Sequence, residues 1–486
     1  MAGEARLTFA QTAGLVAAAA LLVLATQFGD PTELRNARER PPARAARLRS
    51  ASSARTQTNS DKTTASKPQY APLSLNMTLA SAARSHPNRI AVIHSDGSSS
   101  TYAQLTHRAA CVATALSRNL KLETGSRVAV LALNAPNLLE VFWACPHAGL
   151  LLIPVNARLA PPEIINVLNR CEPIALFVDD AFAAAIPRLL DQVSSLKHII
   201  YVGHARNEPA PDGALHYETQ LIDSISQPMD PVTVLRDDCL GIFFSAKDTT
   251  RHHHHQKQQQ QAVMLSHENI LASAFCALRE LAITPDSRYA HIVPMSHISD
   301  FVNTVAITMV GAANVFVPKF SPHKVVNVLR EQNVTQTFVF PSMLEAILDA
   351  AEDNTLPDLC SILCGAAPVS EDLLRRVTRL LGDQVRCVHG LFMTEVTFLM
   401  TVRQAHDPLN TVGKSVPHLE IRIVDDNDSE VPHGTMGHLQ ARGASVMLGY
   451  LDNQSENNES MLSCHGWFTT GVKALIDPEG FVLLQE

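Results

Sequence analysis

No glycine occurs between Phe243 and Asn269, in a stretch whose two ends read as the borders of a phosphate-binding loop. Ahead of it, Cys239, Leu240, Gly241, Ile242, Phe243 and Phe244 form a short apolar run of strand type. Behind it, Val263, Met264, Leu265 and Ser266 lead into a helix, with Ser266 as capping hydroxyl and Asn269 three residues on. Glycine lets a backbone approach an anion closely, and hydroxyls and amides then bond its oxygens. The hydroxyls Ser245, Thr249 and Thr250 are present, but the tract RHHHHQKQQQQ at 251–261 stands where glycines would be. Four consecutive histidines without a fixed geometry do not make a metal site, and the tract reads as a solvated low-complexity loop.

Other absences narrow the class. The 486 residues carry no basic excess: the net charge is −8 and the pI about 6.2. That excludes nucleic acid as a general partner. None of the nine cysteines forms a C-x-x-C pair, and Cys360 and Cys364 are the closest two. Buried free thiols in a reducing compartment are expected. There is no internal repeat of fixed period. What is present is 46% hydrophobic residues at a mean hydropathy of +0.03, which suits a globular chain of two or three domains.

Residues 7–28 carry no charge and are long enough to cross a bilayer, which takes roughly 20 residues. Arg35, Arg38, Arg40, Arg44, Arg47, Arg49 and Arg55 follow. By the positive-inside rule this reads as a single-pass anchor, with the membrane as partner and the bulk of the chain in the cytosol. The alternative is an organelle presequence removed by cleavage, because residues 40–67 are rich in Arg, Ser and Ala and poor in acids. Residues 29–70 hold too few large apolar side chains to fold alone and read as a basic linker.

From about residue 70 strands and helices alternate. Residues 90–93, 127–131, 150–154 and 175–178 are strand-like. Residues 100–105 open a helix capped by a hydroxyl, a second helix passes through Leu138, Val141, Phe142 and Ala148, and Pro161 starts another at its first turn. Such βαβ alternation implies parallel sheets with helices on both faces. Towards the C-terminus, apolar alternation between turn glycines reads as a small β-barrel subdomain.

The loop borders resemble the signature of the AMP-forming adenylating superfamily (acyl-CoA synthetases, luciferases and peptide-synthetase adenylation domains), roughly aromatic-T-S-G-T-T-G-x-P-K-G-V-x-x-S-H-x-N. Counted back from Val263, its Lys falls on Gln261 and the following Gly on Ala262. Further motifs come in the family's order. Pro294, Met295, Ser296 and His297 resemble P-L-F-H, whose His lies near the acyl pocket and the reacting carboxylate; Asp300 stands where a Gly is usual. Gly365, Ala366, Ala367 and Pro368 fit the G-G-A-x-P turn beside the adenine. Residues 389–395, HGLFMTE, resemble Q-G-Y-G-M-T-E, in which Thr394 would meet the α-phosphate and Glu395 would hold Mg²⁺. There Leu391 replaces the adenine-stacking aromatic, and Phe392 a Gly where bulk crowds the nucleotide. Residues 411–417, 437–443 and 447–450 resemble V-G-x-P, G-E-L-x-x-R-G and G-Y patterns. Residues 466–471, GWFTTG, match G-W-F-x-T-G-D except that Val472 replaces the Asp whose carboxylate bonds the ribose hydroxyls.

The resemblance implies an α/β fold: two doubly wound parallel-sheet subdomains and a small β-barrel subdomain, preceded by a single apolar helix. It implies segments at 1–28 (anchor or targeting), 29–70 (linker), 71–410 (synthetase core with the 251–261 insertion) and 411–486 (β subdomain). The family's small mobile C-terminal domain, with its charge-neutralising Lys, is expected to be missing beyond Glu486. It also implies ATP and Mg²⁺ as cofactors, CoA as co-substrate and a small carboxylic acid as substrate. The catalytic set is His297, Thr394 and Glu395, and the nucleotide-binding set is Ser245, Thr249, Thr250, Gly365, Ala366 and Pro368. With the Gly loop, its Lys, the adenine aromatic and the ribose Asp changed, impaired or absent ligase activity is expected. A working ligase, a membrane-anchored pseudoenzyme binding acyl groups or proteins, and a truncated product of an active ligase family are the three readings left open.

Overall fold

The computed structural model describes residues 74–94, 96–203, 208–245, 260–351, 356–367, 369–404, 406–451, 461–463 and 465–485. The chain divides into two compact units, residues 1–55 with 464–466 and residues 56–463 with 467–486, and all that follows concerns the second. Thr249, Thr250, Pro368, the linker and residues 251–259 of the His/Gln tract lie outside the described residues.

The membrane placement is corrected here. Among the described residues no helix is long and apolar enough to cross a membrane, and residues 7–28 lie outside them. The longest described α-helix has 14 residues, against the roughly 20 a span requires. Nothing in the structure supports a single-pass protein with the membrane as partner.

The strands in chain order are β1 (Ile90–Ile93), β2 (Ser99–Thr101), β3 (Arg127–Leu131), β4 (Leu151–Pro154), β5 (Ala175–Asp179), β6 (His198–Val202), β7 (Ala214–His216), β8 (Cys239–Phe244), β9 (Ala262–Ser266), β10 (Arg288–His291), β11 (Ala313–Phe316), β12 (Gln336–Val339), β13 (Ser361–Cys364), β14 (Arg386–His389), β15 (Thr401–Val402), β16 (Lys414–Ser415), β17 (Leu419–Val424), β18 (Gly437–Gly443), β19 (Gly449–Tyr450), β20 (Phe468–Ile476) and β21 (Val482–Leu484). The helices used below are α1 (Leu75–Ser85), α2 (Tyr102–Thr114), α3 (Pro136–His147), α4 (Pro161–Cys171), α5 (His267–Glu280) and α6 (Ile298–Met309).

Two large sheets carry the fold. One has eight strands in the order β19-β9-β8-β4-β3-β5-β6-β7, the other seven in the order β14-β13-β12-β10-β11-β1-β2. Their centres are parallel, as βαβ alternation requires, and antiparallel pairs sit at the edges, β1 with β2 and β8 with β9. The central strand β5 is buried along its whole length, so its sequence is a continuous apolar run instead of an alternating one. A four-stranded antiparallel sheet, β17-β18-β20-β21, forms the β subdomain.

Local signals fix the element ends. The helix expected from residue 100 begins at Tyr102, because Ser99–Thr101 pairs with β1 and Thr101 then caps the helix in a reciprocal box with Gln104. Ser266 and Asn269 form the same box at the start of α5, which the spacing in the sequence anticipates. All eight described cysteines are free thiols, five of them buried.

Candidate active site

The site lies around the mouth of the β8–β9 hairpin and the loops after β10, β13 and β14. Phe244 pairs with Ala262, so Ser245 faces Gln261 across the mouth. The Ser245 amide donates to the Gln261 carbonyl at 3.0 Å, and the Gln261 amide donates to Ser245 Oγ at 3.1 Å. Ser245 is thus tied to the base of the loop. Gln261 occupies the position of the signature Lys and brings no charge. Among the described residues, Arg170 from the end of α4 brings a cation to the loop base: it donates to the Gln260 carbonyl at 2.7 Å and lies over the Phe244 ring at 5.7 Å. Arg170 carries no sequence signal, since it reaches this point only through the β–α packing.

The tail of the signature positions the acidic end of the site. Asn269 caps α5 with its side-chain oxygen and donates its amide hydrogens to the Ala444 and Val446 carbonyls at 2.7 and 2.9 Å. Thr397, at a φ of +68°, donates to the Ser445 carbonyl at 2.6 Å, and the Met447 amide donates to the Glu395 carbonyl at 2.8 Å. The same segment runs on into β19, where Tyr450 pairs with Val263 and donates its hydroxyl to Glu395 Oε1 at 3.1 Å. Thr394 and Glu395 are both buried in a short 3₁₀ turn. Tyr450 belongs to the G-Y pattern in the sequence, but its contact with Glu395 was not legible there.

His297 caps α6 and accepts the Ser299 amide on Nδ1 at 3.2 Å. Its pKa is pushed down to about 4 by burial, with Asp300 opposing, so at neutral pH the ring is an uncharged acceptor. Below it lies a fully buried polar set. Tyr289 donates to one Asp300 oxygen at 2.9 Å, and His291 Nδ1 meets the other at 2.6 Å. On its far side His291 Nε2 faces Asn314 Oδ1 at 3.1 Å, while the Asn314 amide donates to the Ala91 carbonyl at 3.0 Å. Asp300 therefore has a structural reason to differ from the usual Gly: it joins α6 to β10, and through Asn314 to β11 and β1.

The side of the candidate site carrying Gly365 and Phe392 is apolar. From His297, rings run to Phe338 (centroids 6.0 Å) and Phe340 (5.6 Å), and from Phe338 to Phe392 (5.8 Å, stacked) and on to Phe398 (5.6 Å). The Phe392 ring presses on Gly365 so closely that a Cβ at that glycine would overlap it. Beside it Ala366 is exposed and holds a φ of +63°. Leu391 and Val472 are half-buried against the core. The structure thus sets His297 and Gly365 against one aromatic cluster, with Ala366 next to Gly365 and with Thr394 and Glu395 in the turn between Phe392 and Phe398 of that cluster. Ser245 joins them through β9 and β19. A model of a family described as AMP-binding enzyme matches residues 79–451.

The chain belongs to that family. With it comes membership of the AMP-forming adenylating superfamily, as the order of motifs implied. Its curated relatives include a long-chain-fatty-acid–CoA ligase of Thermus thermophilus, 27% identical over 403 residues, covering 79% of this chain and 71% of the relative. A medium-chain fatty-acid–CoA ligase of Escherichia coli is 26% identical over 414 residues, covering 82% and 70%. Among solved structures, a protein described as a long-chain-fatty-acid CoA ligase from Rhodopseudomonas palustris superposes with a TM-score of 0.76 at 21% identity, covering 85% of this chain and 99% of its own. ATP-bound MatB from the same organism gives 0.72 at 23% identity, covering 85% and 78%. These likenesses establish the adenylate-forming α/β fold. The relatives named here are acid–CoA ligases, and the AMP-binding family acts with ATP and CoA.

Glu395 fits a magnesium ion in one respect. Among the described residues no group of three or more His, Cys, Asp or Glu side chains could hold a metal, and Mg²⁺ bound with a nucleotide takes one or two carboxylates and fills its shell with phosphate oxygens and water. Glu395, buried and accepting from Tyr450, could supply one such carboxylate.

Proposed function

We propose that this chain is an acid–CoA ligase in which the adenylation step is impaired. In that reaction a carboxylate attacks the α-phosphate of ATP, and catalysis consists of positioning and of stabilising charge on the phosphates. Thr394, Ser245, Thr249 and Thr250 would face the phosphates and Glu395 would hold Mg²⁺. His297 would face the carboxylate, with Gly365, Ala366 and Pro368 beside the adenine. The synthetase core would occupy residues 71–410 and the β subdomain residues 411–486.

One observation carries the impairment: the Phe392 ring fills the ground beside Gly365 and stacks on Phe338, where the family pattern has a glycine and open space. Leu391 removes a stacking surface, and Val472 cannot accept the ribose hydroxyls. Gln261 supplies no ammonium to the phosphates. Losing one charge-stabilising donor costs ~10²–10³ in rate, and several such losses together leave little, although they do not add. Calorimetry of the full chain with Mg-ATP tests this. Little or no heat at millimolar nucleotide is expected, whereas a dissociation constant in the tens of micromolar would overturn the reading.

A further inference from the structure

Three parts of the candidate site, distant in sequence, meet on one segment, residues 444–451. The side-chain amide of Asn269, at the head of α5, donates to its Ala444 and Val446 carbonyls. The turn that carries Glu395 is bonded to it as well, with Thr397 donating to the Ser445 carbonyl and the Met447 amide donating to the Glu395 carbonyl. The end of the segment runs along β9. There the Leu448 amide donates to the Met264 carbonyl at 2.9 Å and the Leu451 amide to the Ala262 carbonyl at 2.8 Å, on either side of the Tyr450–Val263 pair. Ala262 pairs with Phe244, and the preceding residue, Gln261, donates its amide to Ser245 Oγ. The segment thus reaches the mouth of the 245–261 loop.

It is a fixed strap and not a loose surface loop, since Ser445 and Met447 are fully buried and Tyr450 is 4% exposed. Tyr450 closes the arrangement with its side chain. Its backbone is paired with β9, and its hydroxyl donates to Glu395 Oε1 at 3.1 Å. A glutamate free to turn about its side-chain bonds loses that freedom when it takes a metal. One already oriented by a hydrogen bond loses less, and removing such an outer partner typically costs ~10–100-fold in metal affinity.

We propose that Tyr450 is a positioning residue that fixes the Glu395 carboxylate for Mg²⁺ and, through its pairing with β9, makes that carboxylate follow the base of the phosphate loop. This rests on the reading of Glu395 as the magnesium carboxylate. Tyr450 acts through Glu395, and a change at the loop mouth reaches the metal seat along β9 and β19.

The first test needs no nucleotide. Hydrogen exchange of the full chain is compared with that of Tyr450→Phe, which removes the hydroxyl and keeps the ring in the core. Rates are referred to the amides of β5, a strand buried along its whole length that reports global opening. On that scale the Thr397 and Phe398 amides, which bond within the turn, should exchange about fivefold faster, and the amides of β9 should not change. Ser245→Ala, which takes the hydroxyl from the Gln261 amide, should also speed the turn, but should add little once Tyr450 is Phe.

The second test reads the metal. In the Phe392→Gly, Leu391→Tyr, Val472→Asp chain, adding Tyr450→Phe should raise the Mg²⁺ concentration for half-maximal incorporation of pyrophosphate into ATP about tenfold, with saturating Mg²⁺ restoring most of the rate. A merely structural role would lower the rate alike at every Mg²⁺ concentration. Hydrogen exchange at the turn unchanged relative to β5, or an unmoved Mg²⁺ requirement, would overturn the proposal. No incorporation at any Mg²⁺ concentration would overturn the adenylation reading and the metal role with it, while faster hydrogen exchange at the turn would still establish the strap.

Discussion

Asp300 and Phe392 both stand where the family pattern has glycine, and they have opposite surroundings. Asp300 is wholly buried and its two oxygens are met by Tyr289 and His291, so its cost is offset within the core. Phe392 is half-buried and packs on Phe338 and Phe398, but its ring lies over Gly365 on the side the motif assigns to the nucleotide. The same kind of replacement thus ties the scaffold together in one place and lays a ring over a neighbouring turn in the other. A departure from a family pattern is to be judged by what the new side chain touches.

The largest effect should come from breaking the first of the pair. Restoring glycine with Asp300→Gly leaves the Tyr289 hydroxyl and the His291 ring without their acceptor inside the core. Each such buried group costs ~1–3 kcal/mol, so a loss of about 4 kcal/mol is expected, read from the urea midpoint. A change below about 1 kcal/mol would mean that the buried network is not what holds α6.

Restoring glycine in the second place should behave differently. Phe392→Gly removes a half-buried ring and should cost about 2 kcal/mol, at the low end of large-to-small changes because the site is partly open. It should nonetheless raise Mg-ATP affinity at least tenfold. Lost stability with no gain in nucleotide binding would make Phe392 an ordinary core residue.

His297 sits between the two regions and sharpens their contrast through pH. Its folded pKa of about 4 lies below the ordinary 6.5, so the unfolded chain binds the proton more readily. The stability it contributes is complete above pH 6.5 and is lost as the pH falls towards 4. Between pH 7 and pH 5 this amounts to about 2 kcal/mol. In His297→Asn the loss over that interval should shrink by about that amount, while an unchanged pH profile would place the ring in water.

Smaller effects belong to the frame that both regions share. Ser266→Ala removes one half of the capping box and should cost about 1 kcal/mol in melting experiments. Ala366→Gly should relieve the left-handed backbone and stabilise by about 1 kcal/mol, provided the turn keeps its conformation.

What the sequence revealed was local or sequential. The Ser266–Asn269 box is a four-residue pattern, and the adenylating fold follows from motifs met in a fixed order. Partners that converge from distant segments were hidden. Asp300 looked like an anomaly until Tyr289, His291 and Asn314 were seen to meet around it. Glu395 was recognised by its motif, yet the residues that hold it come from β19 and the Asn269-anchored loop some fifty positions on. The membrane reading rested on one uncharged run and the arginines after it, and nothing in the described structure supports it.

The central claim is that the scaffold of an acid–CoA ligase persists here while its nucleotide contacts are degraded. Carboxylate-dependent exchange of labelled pyrophosphate into ATP, run side by side on the unmodified chain and on the Phe392→Gly, Leu391→Tyr, Val472→Asp variant, tests it most directly. The account predicts no exchange above background for the unmodified chain and measurable exchange for the variant, abolished again by Glu395→Gln. Exchange by the unmodified chain at ordinary turnover of ~1–10³ s⁻¹ would contradict it.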